Sequence, residues 1–193
     1  RTASSWLNSL LTYGLPGSVL VLVIVSMTPQ DGVLMYSAIS LSGLFLSLTL
    51  SVSLRQGRHI QIAVIAAFLI RVSLLVLLIL RAWYSGHSAH YLRAGDATKY
   101  HEWACYVVET ADWRLWGALP TYTYIVASLY RMFGPDPNII DLVNMCLGLM
   151  LVPLVSELGR RCGGRRAGIA SAWLVALYPS LILWSISGVK DVW

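Results

Sequence analysis

The chain has 193 residues, of which 57% are hydrophobic and only 12% charged, with a mean hydropathy of +0.67 and a net charge of +5. That balance is too apolar, and too poor in charge, for a water-soluble domain to solvate its surface. A nucleic-acid partner is excluded with it, since no soluble basic face exists to meet one; the positive charge speaks instead for membrane topology and anionic lipid.

A bilayer crossing needs about 20 mostly apolar residues. Five windows qualify, residues 10–28, 33–54, 60–80, 139–158 and 167–187, and they predict an all-α, polytopic membrane helix bundle. Before the first window there is no basic leader ending in a cleavage site, so the run is read as a span and not as a signal peptide. The chain opens at Arg1 without an initiator Met and stops at Trp193 soon after a span, which predicts a piece of a longer protein.

Short cytoplasmic loops collect Lys and Arg. Arg55, Arg58 and His59 mark one such loop, and Arg160, Arg161, Arg165 and Arg166 in GRRCGGRRAG mark another. The apolar stretch 119–133 is too short to cross, and crossing there would put one basic loop outside. It is therefore read as an amphipathic interfacial helix with Tyr122, Tyr124 and Tyr130 near headgroup level. Five crossings with the amino terminus inside follow, with Lys190 and Asp191 emerging on the outer face beside a long loop over residues 81–138.

That loop holds the segment RAGDATKYHEWA, residues 93–104, where ionisable groups concentrate. From Ala97 to Thr110 the pattern suits a helix: Tyr100, Ala104 and Val107 or Val108 share one face, and Lys99, Glu102 and Glu109 tend to the other. Gly95 and Asp96 would start it. Asp96 is thus either an N-cap or a carboxylate facing a site, and one residue can be both. His87, His90, His101 and Glu102 invite a divalent cation, with His87 and His90 at i,i+3, but exposed polar histidines explain the spacing as well. The three cysteines, Cys105, Cys146 and Cys162, form no disulfide or metal-knuckle pattern.

Arg71 lies near the middle of a span, in FLIRVSLLVL. A charge there costs at least ~2.5–3.5 kcal/mol and must face the bundle interior, a cavity or a partner. It either helps hold an anionic group such as a lipid phosphate or is satisfied by carbonyls, Ser73 neighbours or a further helix. Asp141 and Glu157 read as interfacial residues, and Arg131 as a surface anchor of the short helix.

The order of these features resembles the GT-C membrane glycosyltransferases, and within them the protein O-mannosyltransferase and aminoarabinose-transferase relatives of bacterial cell-envelope assembly. The likeness covers residues 60–193: an outer loop with a lone Asp, an amphipathic stretch ending LYRMFG, a span running into GRRCGGRRAG, and a span containing ALYPSLILWSISGVKD. Residues 1–59 would be two additional spans. The resemblance implies transfer of a sugar from a polyprenyl-phosphate donor to a protein, lipid or glycan acceptor, outside the cytoplasm, in a bacterial inner membrane. It matches the family's catalytic aspartate to Asp96 and a second acid to Asp191, with Lys190 beside it for the donor phosphate. Arg93, Tyr100 and Glu102 would complete the substrate site. The basic residue that often precedes the proline of the interfacial helix is absent, since Leu119 stands before Pro120. That leaves the phosphate to Lys190, Arg93 or Arg114. A transporter or flippase using intramembrane charge, or a structural subunit without activity, are the other classes the sequence allows.

Overall fold

A computed structural model describes residues 32–84, 95–111 and 120–186, and every regular element among them is helical. The expected first span, residues 10–28, lies outside the described residues. Helix α1 covers Gly32–Ser53, α2 Arg58–Tyr84, α3 Gly95–Thr110, α4 Thr121–Phe133, α5 Pro137–Leu177 and α6 Pro179–Trp184. Three of these, α1, α2 and α5, are long and apolar enough to cross a membrane. At a rise of about 1.5 Å per residue, the 22 residues of α1 and 27 of α2 reach past a hydrocarbon core of about 30 Å. The protein is an all-α membrane helix bundle.

α5 is two helices joined at a turn. Gly163 (φ −135°, ψ 16°) and Gly164 (φ 76°, ψ −170°) leave helical geometry, and the second of these backbones belongs essentially to glycine. The two arms close tightly. A Cβ on Gly168 would lie 2.9 Å from the Ser156 carbonyl oxygen, and one on Gly159 3.0 Å from Ser171 Cβ. Small residues admit such backbone contact, which is how helices without a hydrophobic driving force associate in lipid.

Around this hairpin α1 runs parallel to the first arm. Tyr36 donates to Asp136 at one end, a Cβ on Gly43 would meet Cys146 Cβ at 2.8 Å midway, and Gln56 Nε2 donates to the Pro153 carbonyl at 2.7 Å at the other. α1 closes with Arg55 in the left-handed region (φ 53°), where Arg55 N–H bonds the Val52 carbonyl and Gln56 N–H bonds the Ser51 carbonyl. This is a Schellman ending built on arginine in place of the usual glycine. α2 then returns antiparallel. Both arginine-bearing turns, 54–57 and 160–166, therefore lie at one end of the bundle. The starts of α1 and α5 lie at the other.

The core of this bundle joins Ile39, Val64, Ala67, Met145, Leu149, Val152 and Ala172, all buried. Leu41, Val52, Leu69, Leu77 and Leu174 are more than half exposed, an apolar exterior suited to lipid. The expected fifth span, 167–187, is not one helix. It breaks at Tyr178 (ψ 115°) before Pro179, because proline clashes with helical geometry in the residue before it. In an unbroken hairpin Gly148 would face roughly residue 180; it faces Ser185, whose Cβ would lie 3.0 Å from a Cβ on Gly148.

Candidate functional site

At the end opposite the arginine-bearing turns, α3 and α4 pack on each other and on the start of α5. The 3-4-3 spacing of Ala97, Tyr100, Ala104 and Val107 puts all four on one face of α3, and all are buried. Tyr100, Ala104 and Val107 meet Tyr122, Val126, Ala127 and Tyr130 of α4 and Ile140 of α5. Tyr100 lies edge-on to Tyr122, with centroids 4.9 Å apart, and to Trp103, 6.1 Å apart. Such pairs add about 0.5–1.5 kcal/mol beyond area burial.

The helix expected from Ala97 to Thr110 is present and begins slightly earlier, at Gly95. The three α4 tyrosines are not on a headgroup-facing surface. Tyr122, Tyr124 and Tyr130 are 6%, 3% and 2% exposed, because their rings fill the seam to α3 and α5. Arg131 is exposed.

Of the sequence-predicted site residues, Asp96, Tyr100 and Glu102 are described, and all lie on α3. Asp96 sits in the first turn, inside the helix and not at its N-cap, where a negative charge suits the positive helix end. Its side chain is 69% exposed, with Lys99 Nζ 3.9 Å from Oδ1. Glu102 is exposed, and Tyr100 faces the seam instead. Arg93, Lys190 and Asp191 lie outside the described residues, as do His87, His90 and Arg114.

His101 is occupied: its Nδ1 is 2.7 Å from Tyr130 Oη, with the rings edge-to-face. Cys105 Sγ lies 3.7 Å from His101 Nε2, and burial, followed by the Glu109 carboxylate, raises its thiol pKa. Among the described residues no group of three His, Cys, Asp or Glu could hold a metal ion.

Asp141, read from the sequence as an interfacial residue, is buried within the protein. It is 1% exposed, on α5 one turn before the fully buried Asn144, whose Nδ2 donates to Tyr122 Oη at 3.4 Å. The i,i+3 relation turns both side chains toward α4. A polar seam thus runs behind α3 and α4, and its sequence signal was only an Asp and an Asn three apart on an apolar helix. Glu157 is also buried, and it accepts from Arg160 (2.7 and 2.8 Å) and Arg161 (2.8 Å).

Arg71, at mid-α2, is fully buried. Nε donates to Ser185 Oγ (3.0 Å), and Nη1 reaches the carbonyls of Ala67 (3.2 Å) and Ala176 (3.4 Å). Carbonyls and a serine thus meet two of its three nitrogens, and the serine is Ser185; Ser73 is exposed. Nη2 has no partner among the described residues.

Comparison with protein-family models, curated proteins and solved structures finds no match to this chain.

Proposed function

We propose that the protein is an integral-membrane glycosyltransferase of GT-C type, which moves a sugar from a polyprenyl-phosphate donor to an acceptor on the non-cytoplasmic face of a bacterial inner membrane. The observation that carries this reading is the position of Asp96. It is an exposed carboxylate in the first turn of a packed helix, at the bundle end away from both arginine-bearing turns. By the positive-inside rule that end is the outer one.

In this reading Asp96 accepts the proton of the acceptor hydroxyl or amine while the acceptor bonds the anomeric carbon. The bond from that carbon to the phosphate oxygen breaks, and polyprenyl phosphate leaves. A general base of this kind contributes about 10²–10⁴-fold. The departing phosphate needs a cation; Lys190 and Arg93 are the residues assigned by resemblance, with Asp191, Tyr100 and Glu102 as further contacts. Tyr100 would act through packing that fixes α3, since it faces the seam.

A second reading, transport or flipping of a lipid-linked substrate, is favoured by one observation: the helix interrupted at Tyr178–Pro179 beside the buried Arg71. Sealed vesicles carrying the full-length protein and a labelled polyprenyl-phosphate sugar separate the two. Label that leaves the polyprenyl phosphate for an acceptor supports the transferase. Intact donor that crosses the bilayer, with its anomeric bond unbroken, sinks it and supports the transporter.

A further inference from the structure

The two arginine-bearing turns enclose a cavity of about 320 Å³, walled by Arg55, His59, Arg160 and Arg165 with Ile60 and Ile169 among them. We propose that this cavity binds the phosphodiester headgroup of an anionic membrane lipid.

Charge is the first ground. Among the described residues, Arg55, Arg58, Arg160, Arg161, Arg165 and Arg166 share this end with a single carboxylate, Glu157. That is six positive charges to one negative, an excess as large as the net charge of +5 of the whole sequence. Glu157 already accepts from Arg160 and Arg161 and is 8% exposed. Arg55 and Arg165 have no carboxylate within ion-pair distance among the described residues, and both are exposed.

The backbone is the second. Arg55 adopts φ 53°, a conformation that costs a non-glycine residue about 1–2 kcal/mol, and an arginine in it lines the cavity. Across the cavity the Gly163–Gly164 reversal brings Arg160 and Arg165 to one wall from opposite arms. Both walls are tied down. Gln56 fixes the α1–α2 turn to the Pro153 carbonyl, and the contact of Gly168 with Ser156 holds the arms together. The turns that carry these cations are set before the ligand arrives, so binding has only their side chains to order.

Position argues for a lipid over a free phosphate ion. The cavity opens where the spanning helices end, which is headgroup depth. Ile62 and Leu158, 45% and 61% exposed, lie just along α2 and α5 from it and offer an apolar path for acyl chains. Basic pockets between spanning helices on the positive side are suited to this class of ligand.

The test is native mass spectrometry of the full chain in detergent, titrated separately with phosphatidylglycerol, phosphatidylcholine and inorganic phosphate. Phosphatidylglycerol should be retained over phosphatidylcholine. The pair Arg55→Gly/Arg165→Gln should weaken that retention on the order of tenfold or more, and Arg58→Gln/Arg166→Gln, with equal loss of charge outside the cavity lining, by much less. Arg55→Gly alone should keep or raise the melting temperature, because glycine is at ease at this φ, so that lost binding is not lost folding. Arg165→Gln alone, which leaves both turns intact, should show part of the loss. Equal losses from the two pairs would reduce the site to diffuse surface charge and overturn the proposal. So would equal retention of both lipids, or inorganic phosphate that displaces phosphatidylglycerol at matched concentration.

Discussion

Arg71 and Asp96 are charged residues that the fold treats in opposite ways. Arg71 spends its guanidinium on Ser185 and two carbonyls, and so ties α2 to the segment after the α6 break. For Arg71→Leu the insertion of the α2 segment should improve by about 3 kcal/mol, the difference between Arg and Leu at a span centre, as read by glycosylation-tagged segments in a translocation assay. The folded chain should melt at lower temperature, because the ties to Ser185 and Ala176 are lost; an unchanged melting temperature would mean that Arg71 holds nothing together. Asp96, exposed beside Lys99, has no packing to lose, and Asp96→Asn should leave melting within about 0.5 kcal/mol of the parent, as for other exposed sites. Cys105 offers a check on local electrostatics. Burial and then Glu109 favour its neutral thiol over the thiolate, so alkylation near pH 7 should be slower than that of a small free thiol and should climb with rising pH. Glu109→Gln should speed it at any fixed pH, and a rate indifferent to Glu109 would contradict that cause.

Among the elements, those with strong periodicity were legible and those decided by a single backbone angle were not. The 3-4-3 face of α3 and the apolar runs of α1, α2 and the first arm of α5 follow from hydrophobic spacing, and their boundaries moved by only a few residues. The break after Leu177 was signalled by Pro179, but an apolar window cannot tell a tolerated proline from a breaking one; Pro153 stays inside a continuous helix of the same hairpin. The burial of Tyr122, Tyr124 and Tyr130 escaped for a related reason. Amphipathicity identifies the apolar face of α4, and it does not say whether lipid or α3 covers that face. Two glycines test the packing. Gly164→Ala should destabilise by about 1–3 kcal/mol, since alanine fits poorly at φ 76°, ψ −170°. Gly57→Ala, with open space around it, should be close to neutral in the same thermal melt. Equal effects would mean that the hairpin turn is not set at Gly164.

At the scale of the whole molecule the fold is two-ended. One end gathers six arginines, three of which line a cavity, and the other gathers α3, α4 and the polar seam of Asp141 and Asn144. Charge asymmetry made that division legible in the sequence. The seam was not, because nothing in the spacing of Asp141 and Asn144 says that both are buried. Orientation can be read with a membrane-impermeant maleimide in a background of Cys105→Ser and Cys146→Ser: Cys162, exposed in the arginine-rich turn, should label only from the cytoplasmic side, and Lys99→Cys with Cys162→Ser only from the outer side. Labelling of both from one side would remove the outer placement of Asp96. The central claim, that Asp96 takes the acceptor proton in sugar transfer, is met most directly by turnover of a labelled polyprenyl-phosphate sugar by the full-length protein and its Asp96→Asn variant, at matched membrane levels. The account predicts transfer by the parent and a fall of at least about 10²-fold in the variant; undiminished turnover in Asp96→Asn would contradict it.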